Sequence, residues 1–200
     1  MITSIEPKFG SWNADILKAA FRTDGRAEAP LSVKPPGWIL LVGPRQVNAA
    51  MLTAIARLGE GHAIRVLDGG NRFNAYVVAR LVCGRPEVLE RITVSRAFTC
   101  YQVLALLEST PAAALACVVL DLLNTFYDES VQAGERKRLL RACLAQLERI
   151  GQSSRSVVSV HPPKVPSQAA VEMLAMLQAE AQDTIFIQTE PAAPEPLRLF

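Results

Sequence analysis

From Gly37 onward the chain alternates short apolar runs with longer segments of helical period. The runs lie at 38–43 (WILLVG), 63–67 (AIRVL), 91–95 (RITVS), 115–121 (LACVVLD), 155–160 (RSVVSV) and 184–188 (TIFIQ). They are near-continuous in Val, Ile and Leu, the pattern of strands covered on both faces in a parallel sheet. Helical period appears between them at 47–58, 74–83, 99–109, 131–150 and 167–180. Parallel strands need crossover connections, and β-α units of this length close right-handed with helices on both faces of the sheet. The expected fold class is therefore α/β: three α/β/α layers around a mostly parallel central sheet.

The 200 residues suit one such domain at 37–200, preceded by an arm at 1–36. The arm is punctuated by Pro7, Gly10, Gly25, Pro30, Pro35 and Pro36, and only 14–21 (ADILKAAF) has helical character. It holds Ile5, Phe9, Trp12, Ile16, Leu17 and Phe21, which need cover either on the chain's own domain or on a neighbouring copy. The tail EPAAPEPLRLF ends in apolar residues that suit a last edge strand.

Charge excludes little but is informative. A formal net charge of +2 is too mild to argue for nucleic acid by itself. Four cysteines without a C-x-x-C pair, and only two histidines, argue against a metal site. Cys83, Cys100, Cys117 and Cys143 each sit in an apolar context and read as buried free thiols. The N-terminal residues show no basic and apolar leader pattern, and no apolar run approaches a membrane span of about 18 residues. The expectation is a cytoplasmic protein without membrane contact.

The first strand and first helix enclose GPRQVNAA, residues 43–50. A phosphate-binding loop reads G-x-x-x-x-G-K-[ST] at this place. Gly43 opens the stretch, but Asn48, Ala49 and Ala50 stand where Gly, Lys and Ser/Thr would close it. A second nucleotide signal lies downstream in ALACVVLDLLNTFYDE, where Asp121 ends an apolar strand, expected one strand away from the Gly43 loop.

The order ILLVGPRQVNAA, RVLDGGNRFNAYVVARL, ITVSRAFTCYQVLALLE, CVVLDLLNTFYDE and RLLRACLAQLERIGQSSRSVVSVHPP resembles the RecA/recombinase branch of the P-loop ATPases over roughly residues 37 to 190. The resemblance implies that Asp121 falls on the magnesium-site acid. His161 falls on the family's sensor residue, usually Gln, and Gly70 near the glutamate that orients water. It also implies a degenerate Walker A motif: neither Ala49 nor Ala50 replaces a lysine charge or an oxygen ligand. Asn48, on the second glycine, tolerates a left-handed backbone, so the loop is expected to keep its path and lose its chemistry. Restoring Gly, Lys and Thr at 48–50 is then expected to touch only surface or cleft groups. Asp68 reads either as a substitute base or as a cap for the Gly69-Gly70 bend, and Arg45 either as a phosphate contact or as a solvated loop residue.

The segment 131–150 carries an apolar stripe of Val131, Leu139, Leu140, Cys143, Leu144, Leu147 and Ile150, with Gly151 as its stop. Arg136, Lys137, Arg138, Arg141 and Arg149 are assigned to its opposite face, either solvated or facing DNA or a partner. Three readings follow. The first is a RecA-like domain without ATPase activity and without a bound cofactor, serving as a binding or scaffold subunit. Its partner would be an active RecA-type paralogue or its own copies, possibly on DNA in repair or recombination. The second is a weak, unconventional nucleotide hydrolase using ATP-Mg through Arg45 and Asp68. The third is a DNA-binding protein using Arg136, Lys137, Arg138, Arg141 and Lys164.

Overall fold

A computed structural model of the chain describes residues 37–44, 46–112, 116–163 and 167–187. The arm, Arg45, Lys164 and the C-terminal tail lie outside the described residues. The elements run β1 (Trp38–Val42), α1 (Gln46–Gly59), β2 (Ile64–Asp68), α2 (Ala75–Leu81), α3 (Pro86–Glu90), β3 (Ile92–Arg96) and α4 (Cys100–Ser109). They continue as β4 (Ala116–Leu120), a 3-10 turn (Asn124–Tyr127), α5 (Ala133–Gly151), β5 (Arg155–Val160), α6 (Gln168–Glu180) and β6 (Asp183–Phe186). The strands form one sheet in the order β3-β2-β4-β5-β1-β6, and each neighbouring pair is parallel.

Strand periodicity divides the core in two. Trp38, Leu40 and Val42 point to one face, with Cys117, Val119, Val158 and Val160, and meet α4, α5 and α6 there. Ile39 and Leu41 point to the other, with Ala116, Val118, Leu120 and Val157, and meet α1, α2 and α3. All five residues of β1 and all five of β4 are buried, as their unbroken apolar composition requires. Local chemistry starts the helices. Asn74, Thr99 and Ser167 each accept a backbone N–H three residues on, capping α2, α4 and α6.

Several expectations need correction. Cys83 is exposed, in a left-handed conformation after α2, although Cys100, Cys117 and Cys143 are buried. Burial raises the Cys117 and Cys143 thiols to about 12, so both are inert at neutral pH. Gly151 is the last residue of α5, and its role is close packing. A Cβ there would lie 2.8 Å from the Gly37 carbonyl oxygen, and Gly37 N donates to Gly151 O. β4 is not next to β1, because β5 lies between them. Arg136 is not on a solvated helix face. It follows the period of Leu139, Leu140 and Cys143, three, four and seven residues on, and is buried with them.

Candidate functional site at the carboxyl edge of the sheet

All strands being parallel, the residues that follow β1, β2, β4 and β5 gather along one edge, where open α/β sheets place their ligands. The β1–α1 connection is short there. β1 ends at Val42 and α1 begins at Gln46, so Asn48, Ala49 and Ala50 belong to the helix and not to a loop. This corrects the expected left-handed path, since Asn48 is not among the residues with positive φ. It also corrects the expected open remnant. Ala50 is 2% exposed, and Asn48 donates from Nδ2 to the Arg72 carbonyl at 3.2 Å. Ala49 is exposed. Gly43 is buried against the chain after β6. A Cβ there would fall 2.5 Å from the Ile187 carbonyl oxygen and 2.8 Å from Val47 Cγ2.

Asp68 is fully buried at the end of β2. Its Oδ1 accepts from Arg72 N at 2.8 Å and its Oδ2 from Phe73 N at 2.9 Å, while Arg96 Nε stands 3.5 Å away. These bonds fold the turn 69–73, the capping role among the two considered for this residue. The positive φ of the turn falls on Asn71. Gly70 is required for another reason: a Cβ there would sit 2.5 Å from both Cβ and Oδ2 of Asp121.

Asp121 itself is 1% exposed and left-handed, with φ 52. Ser159 Oγ accepts its N–H at 3.0 Å. Oδ2 accepts from Arg72 Nε at 2.9 Å, and Oδ1 from His161 N at 3.1 Å. The His161 ring Nδ1 also stands 3.1 Å from Oδ1. Burial alone would raise this carboxyl. The His161 ring, Arg72 and the His161 backbone N–H outweigh it and hold the carboxyl below its ordinary value. Asp121 is thus ionised and already surrounded. Tyr127 donates its hydroxyl to His161 O at 3.1 Å, and burial, helped by the Asp121 charge, pushes its phenol upward.

Of the sequence candidates, Asn48, Asp68, Asp121 and His161 converge, through the turn 69–73 and its Arg72. Gly43, Ala49 and Ala50 do not join them. A cleft of about 320 Å³ opens beside Asp121, walled by Arg72, Asn124, Tyr127, Arg136, His161 and Ser167. The other basic candidates disperse. Arg136 turns inward and donates from Nη1 to Phe126 O at 3.0 Å. Lys137 pairs with Glu172. Arg138 binds Glu135 with two bonds, of 2.8 and 2.7 Å. Arg141 is exposed. Arg149, assigned to the same polar face, bonds Gln146 and the carbonyls of Leu107 and Thr110.

Arg72 was not singled out from the sequence, because its partner lies 49 residues away and no local pattern marks it. The inward turn of Arg136 is legible in the spacing of α5, whose apolar period runs through this charged residue.

No family model matches the chain, and no curated protein matches it. Among solved structures it is similar to the crystal structure of the RadB recombinase, with a TM-score of 0.56 and 16% identity. That likeness covers 78% of this chain and 76% of the other. At this identity the likeness speaks for the fold alone: a parallel six-stranded sheet between two helical layers, in a RecA-like α/β/α arrangement.

Proposed function

We propose that the chain is a RecA-like domain that does not hydrolyse ATP and serves as a binding or scaffold subunit in a recombination or repair setting. One observation carries the reading: Asp121, the acid that would hold magnesium, spends one carboxylate oxygen on Arg72 and the other on the His161 N–H. A guanidinium at 2.9 Å supplies the positive charge that a divalent cation would otherwise bring.

The remaining donors do not suit a magnesium nucleotide either. Ala49 and Ala50 offer neither cation nor oxygen ligand, and helix α1 starts too early to leave a wrapped loop. The turn 69–73 lies against Asp121, with no room for even a methyl group at Gly70. A partner role is supported by large exposed side chains on α2, after β3 and on α4: Tyr76 at 70%, Phe98 at 74% and Tyr101 at 49%.

The test is calorimetry with ATP-Mg beside a sensitive phosphate-release assay. The reading expects neither micromolar binding nor turnover. Turnover abolished by Asp121→Ala would establish the weak ATPase instead. Capture from the native host asks the partner question, with an intact RecA-type ATPase as the expected companion.

A further inference from the structure

Strand β3 closes one side of the sheet, and among the described residues its outer edge has no partner strand. Ile64 N donates to Arg91 O and Ala97 N to Asp68 O, and between these bonds β2 and β3 run in continuous parallel register. That ladder takes the N–H and C=O groups of Thr93 and Ser95, so those of Ile92, Val94 and Arg96 point away from the sheet. Edge strands are ordinarily blunted by a proline, a lysine, a bulge or a covering element. The stretch Ile92–Arg96 has no proline or lysine, and its register with β2 has no bulge. Its charged residue, Arg96, leans toward Asp68 Oδ2 at 3.5 Å. Both ends of the strand are flanked by exposed apolar groups: Leu89 before it, at 37%, and Phe98 after it, at 74%.

We propose that two copies of this chain pair through β3, strand against antiparallel strand about a two-fold axis. The outward backbone groups fix the register. With Val94 opposite the partner's Val94, Ile92 faces the partner's Arg96, and each of the three outward residues exchanges both of its backbone bonds. The side chains suit the same register. Positions 90 and 98 fall level, so Phe98 meets the end of α3, where the partner's Leu89 is exposed. Arg96 and the partner's Glu90 stand diagonally across the pair with opposite charge, and Glu90 is exposed with no ion pair among the described residues. The axis repeats each contact, and this self-complementarity selects a second copy over an unrelated strand. A five-residue edge makes a small interface, so the dimer is expected to dissociate at micromolar concentrations. The inference rests on the reading of this chain as a binding subunit and names its partner. ATP turnover would overturn the claim of inactivity alone, whereas the state of association tests this interface.

Sedimentation of the full chain across the micromolar range should show a reversible monomer–dimer equilibrium. Val94→Pro removes an N–H that the ladder with β2 does not use, and edge strands accept proline at such positions. The folded variant should stay monomeric throughout. Glu90→Lys serves as a second variant, since this exposed side chain carries no packing, and a like charge set against Arg96 should weaken the dimer by roughly tenfold. Cross-linking reads the register directly. In a Cys83→Ser background, which removes the exposed native thiol, Thr93→Cys protein mixed with Ser95→Cys protein should form a disulfide-linked dimer under mild oxidation. Neither protein alone should do so, because position 93 faces the partner's 95 and not its own counterpart. A monomer at every concentration overturns the proposal. A dimer that Glu90→Lys leaves intact, or one whose mixed cysteines fail to cross-link, is held elsewhere and overturns it as well.

Discussion

Arg72 and Asp121 are 49 residues apart in sequence and 2.9 Å apart in space, and their contact ties the turn after β2 to the end of β4. The carboxyl is held below its ordinary value of 3.8, so its contribution to stability is complete above that value. It is lost as pH falls through the lower folded value. Asparagine tolerates the same left-handed backbone, removes the charge and turns one of the two accepting oxygens into a donor facing Arg72 or the His161 N–H. Asp121→Asn should therefore cost about 1–3 kcal/mol at pH 7, the range for a buried partner left unsatisfied. Urea unfolding of both proteins between pH 7 and pH 3 checks this. The gap should narrow on the acid side, and a constant gap would assign the loss to shape and not to charge.

Gly70→Ala tests how tightly the turn is seated. The added methyl would meet Cβ and Oδ2 of Asp121 at 2.5 Å, and neither belongs to a side chain with room to swing away. The expected loss is about 1–3 kcal/mol, as for other overpacked sites. A crystal structure of the variant should show the Arg72–Asp121 contact lengthened. An unchanged melting temperature would mean that the turn yields freely.

Rebuilding a phosphate-binding loop at 48–50 should not be neutral. Ala49 is exposed, so Ala49→Lys alone is expected to leave stability unchanged. Ala50 is 2% exposed in the core beneath α1, and Ala50→Thr should cost about 1–3 kcal/mol. Asn48→Gly removes the bond to Arg72 O and adds the helical penalty of glycine, about 1 kcal/mol. Thermal melts of the three single variants separate these contributions, and equal melting temperatures throughout would restore the open-loop picture.

The polar face of α5 is expected to be a poor DNA surface. Lys137 and Arg138 are already paired with Glu172 and Glu135, and Arg136 points inward. An Arg141→Glu, Arg138→Glu double variant should leave oligonucleotide affinity and its salt dependence nearly unchanged. A drop in the salt slope of about one per residue would place the phosphate contacts there after all.

The fold was legible because its signal is local and repeated. Six apolar runs such as WILLV and ACVVL became the six strands, with ends shifted by one or two residues. The short helix α3, Pro86–Glu90, carried too little periodicity to register. The site was legible only in part. Asp68, Asp121 and His161 stand at strand ends, which the pattern marks, whereas Arg72 acts through a contact that only the folded sheet creates. Arg136 differs for another reason: its charge points to solvent, whereas its spacing from Leu139, Leu140 and Cys143 puts it on the buried stripe.

The last prediction concerns Gly43, the residue that made 43–50 resemble a phosphate-binding loop. If glycine were kept there to let a phosphate approach, Gly43→Ala would change ligand affinity and little else. The packing says otherwise. Its φ is not in the left-handed region, so conformational freedom is not the reason. The methyl would lie 2.5 Å from the Ile187 carbonyl oxygen and 2.8 Å from Val47 Cγ2, one on the chain leaving β6 and the other at the start of α1. Ile187 N also donates to Val42 O at 2.8 Å, so the backbone that must retreat is the one closing the β6 edge onto β1. Gly43→Ala should cost about 1–3 kcal/mol, in the range of overpacked sites. Hydrogen exchange should quicken at Ile187 and along β6 before it does in β4 or β5, because the strain enters at the sheet edge. Uniform protection across the sheet in the variant, with wild-type stability, would return Gly43 to the role of a ligand-approach glycine.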